Sequence, residues 1–197
     1  MSMGSPFFLI LASNSPRRKA LLSDLGLQLK IVSTDIPESP EPNESPISFS
    51  RRMARRKTEV ISAAFSQQWV LGADTVVVLG KRLFGKPRDS RETKRFLRAL
   101  SGKTHQVITS FCLRNRATNH LIIRSVKTQV AFKPLSTEEI DWYIKTGEPL
   151  DKAGAYAIQG KGAFCVKKIR GSYTNVVGLP VTEILEALEK YAGFQLG

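Results

Sequence analysis

Short apolar runs alternate with amphipathic stretches along the chain, a pattern typical of an α/β protein. The first apolar run, at 7–12, stops at two serines, and Pro16 then begins an amphipathic stretch that ends near Gly26. Ser15 is placed to cap this helix, because a serine oxygen accepts the free N–H groups of a first turn and proline tolerates the position after the cap. The junction therefore predicts a strand that leads directly into a helix.

The same pattern continues toward the C terminus and predicts a mixed sheet. A strand at 29–33 precedes a proline-rich acidic loop at 36–46, and a long helix capped by Ser45 follows to about residue 65. Two apolar halves, 69–73 and 75–79, indicate a buried strand broken near Asp74, with a hairpin turn at 80–81. The remaining predictions are helices at 90–100, 137–146 and 182–191, strands at 106–113, 122–132 and 164–169, and capping boxes at Asp89–Glu92 and Ser136–Glu139.

Length and composition indicate one globular domain spanning residues 1–197. No apolar run approaches the roughly 20 residues of a membrane span, and the run at 7–12 is too short for a signal peptide core. We therefore expect a cytoplasmic protein without membrane association. Cys112 and Cys165 each lie in an apolar stretch and are expected to be buried thiols rather than a disulfide or metal pair.

The net charge of +13 indicates a negatively charged partner, such as nucleic acid, an acidic membrane or a phosphate-bearing small molecule. The densest cluster of cations lies at 51–57, where Arg52, Arg55 and Arg56 would share one helix face and Lys57 would point elsewhere. The sequence has neither an aromatic-rich basic strand nor a helix-turn-helix signature. A solvated basic face is therefore favoured, and nucleic-acid binding stays an alternative.

Three cations, Arg17, Arg18 and Lys19, fall in the first turn of the helix that begins at Pro16. A helix N-terminus attracts anions, so cations there oppose the helix dipole and are not explained by local stability. A bound anion would explain them, because the free N–H groups and the cations would both face it. The junction therefore predicts a polyphosphate cradle.

Asp74 lies within one of the most apolar runs of the chain, where an unpaired charge would be very costly. It is either an aspartate satisfied at a strand end or a carboxylate that binds metal or activates water. The upstream cradle favours the second interpretation, and Gly72 and Ala73 would let a substrate approach closely. Glu38, Lys57 and Lys86 are further candidates, because hydrolysis of a nucleoside triphosphate uses a metal held by carboxylates and cations on the phosphates.

Several segments occur in the order typical of the Maf family, which the chain resembles over nearly its whole length. These segments are Ser13–Arg18, Gly72–Val76, Gly85–Asp89, Leu100–His105, Gly147–Gly162, Gly171–Tyr173 and Asn175–Pro180. The resemblance implies a mixed twisted sheet in two lobes around a deep cleft, as in inosine triphosphate pyrophosphatases and Ham1 proteins, commonly as a homodimer. It also implies a nucleotide pyrophosphatase that uses Mg²⁺ or Mn²⁺, from a family linked to septum formation.

The resemblance further implies roles for individual residues. Asp74 matches the catalytic base and a metal ligand, Glu38 matches a second metal ligand, and Lys86 matches a catalytic lysine on the phosphates. The positions that match substrate-binding residues are Ser13, Ser15, Arg17, Arg18, Lys57, Thr75 and Gln159. Glutamates frequent in the family are replaced by Pro37 and Arg56, which would leave the metal shell with one carboxylate fewer and alter the charge near Lys57.

Three of these positions, Arg17, Thr75 and Gln159, match residues tied to the choice of base. Ile158-Gln159-Gly160 after Asp74-Thr75 resembles the dTTP/UTP branch rather than the 7-methyl-GTP branch. The Gln159 amide can both donate and accept, as the edge of a uracil or thymine ring requires. The alternative is a non-enzymatic protein that binds nucleic acid or a division protein through its charge, with salt-sensitive binding that survives loss of Asp74.

Overall fold

The computed structural model describes residues 7–195; residues 1–6 and 196–197 of the predicted domain lie outside the described chain. The described part is an α/β fold with a single sheet. Its strands are β1 (Phe8–Ala12), β2 (Gln28–Val32), β3 (Trp69–Leu79), β4 (Arg82–Phe84), β5 (Thr104–Asn115), β6 (His120–Phe132) and β7 (Val166–Arg170). Its α-helices are α1 (Pro16–Ser23), α2 (Pro46–Ala64), α3 (Ser90–Leu100), α4 (Thr137–Lys145), α5 (Tyr173–Val177) and α6 (Val181–Ala192).

The sheet is mixed, as predicted, with the strand order β2-β1-β3-β5-β6-β7 and with β4 paired to β3. Strand β1 is parallel to both neighbours, so that Leu9 lies opposite Leu29 on one side and Trp69 on the other. The β3–β4 and β6–β7 pairs are antiparallel. Parallel strands buried on both faces explain why β1 and β3 are continuous apolar runs rather than alternating ones.

The described chain divides into two compact units, of which the first comprises 7–74, Thr109–Ser125 and 178–195. Strand β1 of this unit is covered on both faces, and its successive side chains point in opposite directions. Leu9 and Leu11 of β1 belong to a core with Leu188 of α6, whereas Ile10 belongs to a cluster with Ile61 of α2. The same packing positions α1 and α2, the helices that carry Arg17, Arg18 and Lys57.

The second unit comprises Thr75–Ile108 and Val126–Val177 and has a core of its own. Helix α3 contributes Phe96, whose ring meets Phe84 of β4 edge-on at 5.1 Å between centroids. Helix α4 contributes the fully buried Tyr143 to the same cluster. This core supports the segments that carry Lys86 and Gln159.

The predicted helix caps are confirmed, with one exception in how a capping box is built. Side chains at positions 15, 45, 89 and 136 all accept N–H groups of the following first turn. Glu139 completes a reciprocal box with Ser136. The box predicted at Asp89 is wrong, because the Glu92 carboxylate accepts the Arg88 N–H instead, at 2.9 Å.

Three elements differ from the sequence prediction. Strand β3 runs unbroken through Asp74, because ion pairing compensates the charge and the strand need not end there. The strand predicted at 164–169 starts only at Val166, because a 3-10 helix, Gly160–Cys165, precedes it. The short helix α5 was not predicted at all.

The prediction for the two cysteines agrees with the structure. Cys112 and Cys165 are both free and buried, and burial raises the pKa of their thiols to about 11 and about 12. Among the helices of the described chain, none combines the length and the apolar character that a bilayer crossing requires.

Candidate active site

The loop after β1 is folded by its serines, as the sequence predicts. The Ser15 hydroxyl accepts the backbone N–H of Arg18 at 3.5 Å, and Pro16 occupies the first helical position. The buried Ser13 hydroxyl accepts the Ser15 N–H at 3.2 Å. These bonds fix the N-terminus of α1, where backbone N–H groups favour an anion.

Arg17 and Arg18 have different surroundings although they are adjacent. Arg18 turns inward and donates to the carbonyl oxygens of Ala73 at 2.8 Å and Gly178 at 2.9 Å, and to Ser13 Oγ at 3.3 Å. No hydrogen bond or ion pair within residues 7–195 involves the Arg17 guanidinium. The sequence predicts the same role for both arginines, whereas in the structure Arg18 is hydrogen-bonded to the strand that carries Asp74.

The central feature of the first unit is a lysine shared by two carboxylates. Lys57 Nζ lies 2.8 Å from Asp74 Oδ1 and 2.6 Å from Glu38 Oε1. Lys57 and Asp74 are only 6% and 5% exposed, while Glu38 lies on the exposed acidic loop. The buried aspartate is therefore satisfied by a buried ammonium, and the structure brings three predicted site residues together.

The electrostatic balance at Asp74 has opposing contributions. Burial raises the pKa of the Asp74 carboxyl above its ordinary value, and the nearby Glu38 charge adds to this effect. The charges of Lys57 and Arg18 act in the opposite direction. Burial likewise lowers the pKa of the Arg18 guanidinium, which Asp74 and Glu38 oppose. A carboxylate whose pKa is shifted upward is better suited to accept a proton near neutral pH.

The same two carboxylates fit a divalent metal. Mg²⁺ is usually bound by one or two carboxylates and completes its shell with waters and substrate phosphates. No group of three His, Cys, Asp or Glu side chains in the described chain is arranged to hold a metal. Asp74 and Glu38, which already converge on one cation, therefore suit a metal that is also bound by the substrate.

Sequence reasoning missed Arg52, which holds the acidic loop. Its guanidinium pairs with Glu44 in two hydrogen bonds of 2.7 and 2.5 Å and donates to the Ser39 carbonyl at 3.0 Å. Ser39 follows Glu38 directly, so this clamp restrains the backbone beside the second carboxylate. The signal was present as an acidic loop followed by an arginine on the next helix, but many pairings of these charges were possible.

Gly72 has a different role from the one predicted. A Cβ at this position would lie 2.3 Å from Thr58 Oγ1 and 2.9 Å from the Ala54 carbonyl oxygen. Thr58 in turn donates to that same carbonyl at 2.8 Å. The glycine is thus required for α2 to pack closely on β3, which in turn brings Lys57 to Asp74.

The other predicted residues belong to the second unit. Thr75 follows Asp74 in β3 and is partly buried, and Lys86 is exposed on the loop after β4. Gln159 is exposed at the N-cap of the 3-10 helix Gly160–Cys165. Its side chain makes no capping hydrogen bond.

These features define an α/β protein with a carboxylate–ammonium site beside a helix N-terminus that favours anions. A family model described as "Maf-like protein" matches residues 8–191, and the chain belongs to this family. A relative from Geobacter sulfurreducens named "dTTP/UTP pyrophosphatase" is 48% identical over 182 residues, covering 92% of this chain and 95% of the relative. One of the same name from Anaeromyxobacter dehalogenans is 50% identical over 190 residues, covering 95% of each.

Among solved structures, a HAM1 protein from Coxiella burnetii is similar to the chain with a TM-score of 0.49 and 16% identity. The match covers 93% of this chain and 99% of that one. A likeness at this level carries no argument by itself, and the family assignment rests on the family model and the sequence relatives.

Proposed function

We propose that this protein hydrolyses dTTP and UTP to the nucleoside monophosphate and pyrophosphate. The observation that carries the proposal is the buried Asp74, held with Glu38 on Lys57. The names of the relatives, which cover almost the whole chain, support the choice of reaction and substrates. The names do not indicate which residues act, and the carboxylate–ammonium site supports the choice of Asp74, Glu38 and Lys57.

In the proposed mechanism Asp74 acts as the general base. It takes a proton from a water molecule, whose oxygen forms a new bond to phosphorus while the bond between the α- and β-phosphates breaks and its electrons leave with pyrophosphate. The burial that raises the pKa of Asp74 favours this proton transfer. The Lys57 ammonium stabilises the ionised carboxylate before the proton arrives.

Cations of the chain neutralise the phosphates in this proposal. Arg17 and the N–H groups of α1 would bind them, Arg18 would hold the loop, and Lys57 and Lys86 would offset charge that develops on the oxygens. Asp74 and Glu38 would hold Mg²⁺ or Mn²⁺, which would supply further positive charge at the phosphate oxygens.

Recognition of the base is assigned to Gln159, with Thr75 in support. A glutamine amide offers one acceptor and two donor positions, so it can match the alternating carbonyl and imide groups of uracil or thymine. The exposed Gln159 side chain makes no capping bond, which agrees with this role.

Pyrophosphate release tests the proposal directly. Wild type, Asp74→Asn and Asp24→Asn would be assayed with dTTP, UTP, CTP, purine triphosphates and 7-methyl-GTP, with Mg²⁺, with Mn²⁺ and with chelator. We expect release from dTTP and UTP that requires metal and falls by about 10²–10⁴-fold in Asp74→Asn. Asp24 is an exposed residue at the end of α1, so Asp24→Asn removes the same charge and should stay active.

A folded wild type that releases pyrophosphate from none of these nucleotides would overturn the proposal. Salt-sensitive binding of nucleic acid that persists in Asp74→Asn would then favour the basic binding protein instead.

We also propose that the protein is a cytoplasmic homodimer, as the family resemblance implies. Light scattering of the purified protein measures its mass and tests the dimer.

A further inference from the structure

The segment that carries Gln159 is unusual in how its backbone is held. The first N–H groups of a helix need acceptors, and the N-cap side chain commonly supplies one. Gln159 is the N-cap of the 3-10 helix Gly160–Cys165, yet its amide makes no capping bond and is exposed. The acceptor must therefore come from elsewhere.

Glu148 supplies it from an earlier 3-10 helix, Glu148–Asp151. Its carboxylate accepts the backbone N–H of Lys161 at 3.0 Å and that of Gly162 at 2.9 Å. The hydroxyl of Tyr143 donates to the same carboxylate at 2.9 Å. One side chain thus accepts three hydrogen bonds, two of them from the turn that follows Gln159.

Two glycines allow this close approach. Gly160 has φ +68°, and a Cβ there would lie 2.8 Å from Glu148 Oε2. A Cβ at Gly162 would lie 2.3 Å from the Tyr143 hydroxyl oxygen. The segment is therefore seated on Glu148 and Tyr143 with no space for side chains at either glycine.

The anchor itself is firmly fixed. Tyr143 is fully buried, and its hydroxyl oxygen also accepts the Ala157 N–H at 3.3 Å, two residues before Gln159. Desolvation raises the pKa of the Glu148 carboxyl, but the three hydrogen bonds and the nearby charge of Lys152 together hold the pKa below its ordinary value. Glu148 is therefore held in its ionised, hydrogen-bond-accepting form.

We propose that Glu148 is a positioning residue for base selection: it caps the turn after Gln159 so that the Gln159 amide stays available for the pyrimidine ring. This inference rests on the proposed role of Gln159 in reading a base with alternating carbonyl and imide groups. Glu148 would touch neither substrate nor metal, and its effect would appear in the discrimination between bases.

The test is a double-mutant cycle on the ratio of kcat/KM for UTP to that for CTP, two nucleotides with the same sugar. In Glu148→Gln an amide N–H₂ replaces one carboxylate oxygen, so one backbone N–H loses its acceptor. We expect this variant to lower the ratio about 5–10-fold, mainly through KM for UTP. We expect Glu148→Gln to change the ratio no further in the Gln159→Ala background, because the two residues act through one contact.

Glu139→Gln is the matched control. Glu139 also accepts an N-terminal N–H of a helix in the second unit, that of Ser136 at 2.9 Å, but on α4. The UTP-to-CTP ratio of kcat/KM in Glu139→Gln should equal that of wild type. Tyr143→Phe keeps the ring and removes the hydroxyl, with its hydrogen bonds to Glu148 and from Ala157. It should shift the ratio in the same direction by a smaller factor, and it serves if Glu148→Gln does not fold.

Separate results overturn the two proposals. Wild type without pyrophosphate release would overturn the proposed function itself. An active wild type would overturn the role of Glu148 if its effect on the ratio were additive with Gln159→Ala, or if Glu148→Gln lowered kcat equally for both nucleotides. An unchanged ratio in Gln159→Ala would remove the contact through which Glu148 is proposed to act.

Discussion

In the first unit Lys57 and Asp74 are buried as a charged pair, whereas in the second unit His105 and Tyr156 are buried as neutral rings. The Lys57 ammonium lies 2.8 Å from Asp74, while His105 Nε2 lies 2.8 Å from the Tyr156 hydroxyl. Burial lowers the pKa of His105 to about 4 and raises that of Tyr156, so both are uncharged at neutral pH. A buried charge is costly unless paired, so it indicates chemistry, whereas a neutral polar pair is compatible with packing alone.

Removing the Lys57 ammonium should have the largest effect on the stability of the protein, because the buried Asp74 carboxylate then loses its charged partner. Lys57→Met leaves the Asp74 carboxylate buried without its lysine, and we expect a loss of about 3–5 kcal/mol in the free energy of unfolding. Urea denaturation at pH 7 measures this. The double variant with Asp74→Asn should recover part of the loss, because no uncompensated charge then remains; a double variant less stable than Lys57→Met would contradict the pairing.

Metal binding provides a second readout on the same variant. If Asp74 and Glu38 can hold a divalent cation, Mg²⁺ should raise the unfolding midpoint of Lys57→Met more than that of wild type, because the ammonium no longer competes for the carboxylates. Equal shifts in both proteins would indicate that these two oxygens are not the ligands. Glu59→Gln, on the same helix, is a control that should respond as wild type does.

The stability that the neutral His105–Tyr156 pair contributes to the second unit should decrease in acid. His105 takes up a proton at about pH 4 when folded and at about 6.5 when unfolded, so the unfolded state binds more protons in this window. The stability contributed by neutral His105 is complete above pH 6.5 and is lost as the pH falls, by on the order of 3 kcal/mol at pH 4. The stability advantage of wild type over His105→Gln should shrink across this range. An advantage independent of pH would contradict the neutral burial.

Glycine-to-alanine substitutions in the two units should have smaller and unequal effects on stability. Gly72→Ala places a Cβ 2.3 Å from Thr58 Oγ1 and should destabilise the first unit by about 1–3 kcal/mol. Gly85→Ala, in the second unit, meets no atom within 4 Å and should change stability by less than about 0.5 kcal/mol. Thermal unfolding of both variants checks this, and equal losses would mean that α2 can shift to accommodate the methyl group.

The smallest expected effect concerns the loop that carries Glu38. Arg52→Ala removes the clamp on Glu44 and Ser39, and we expect the Mg²⁺ concentration for half-maximal activity to rise several-fold with little change in overall stability. Arg55→Ala is matched on the same helix, since Arg55 pairs with Glu59 four residues on and its side chain is 52% exposed. Equal Mg²⁺ dependence in the two variants would contradict a role for the clamp.

Local signals predicted most elements because they act within a few residues. The serine caps, the apolar runs and the hairpin turn at Gly80 each depend on neighbours in sequence, and the structure confirms them. The break at Asp74 was wrongly predicted, because the compensating Lys57 lies 17 residues away on another element. Sequence named both residues, but only the fold could show that they neutralise each other.

The supporting residues were missed for the same reason. Arg52 reaches Glu44 across 8 residues and Glu148 reaches Gly162 across 14, with no motif that specifies either pair. Gly72 was assigned to substrate approach, although its neighbour is Thr58 of α2. Residues that hold others in place have no characteristic spacing, so they become recognisable only when their partners are known.

The continuity of β3 through Asp74 has a consequence for motion. A residue inside an 11-residue strand paired within the sheet exchanges its amide hydrogen only in rare, large openings, whereas an irregular loop opens often. Asp74 is therefore held by the sheet, whereas the loop of Glu38 is held by side-chain contacts such as those of Arg52 and Lys57. If the contacts at Lys57 rearrange on the microsecond-to-millisecond timescale, Glu38 is therefore expected to move while Asp74 stays in place.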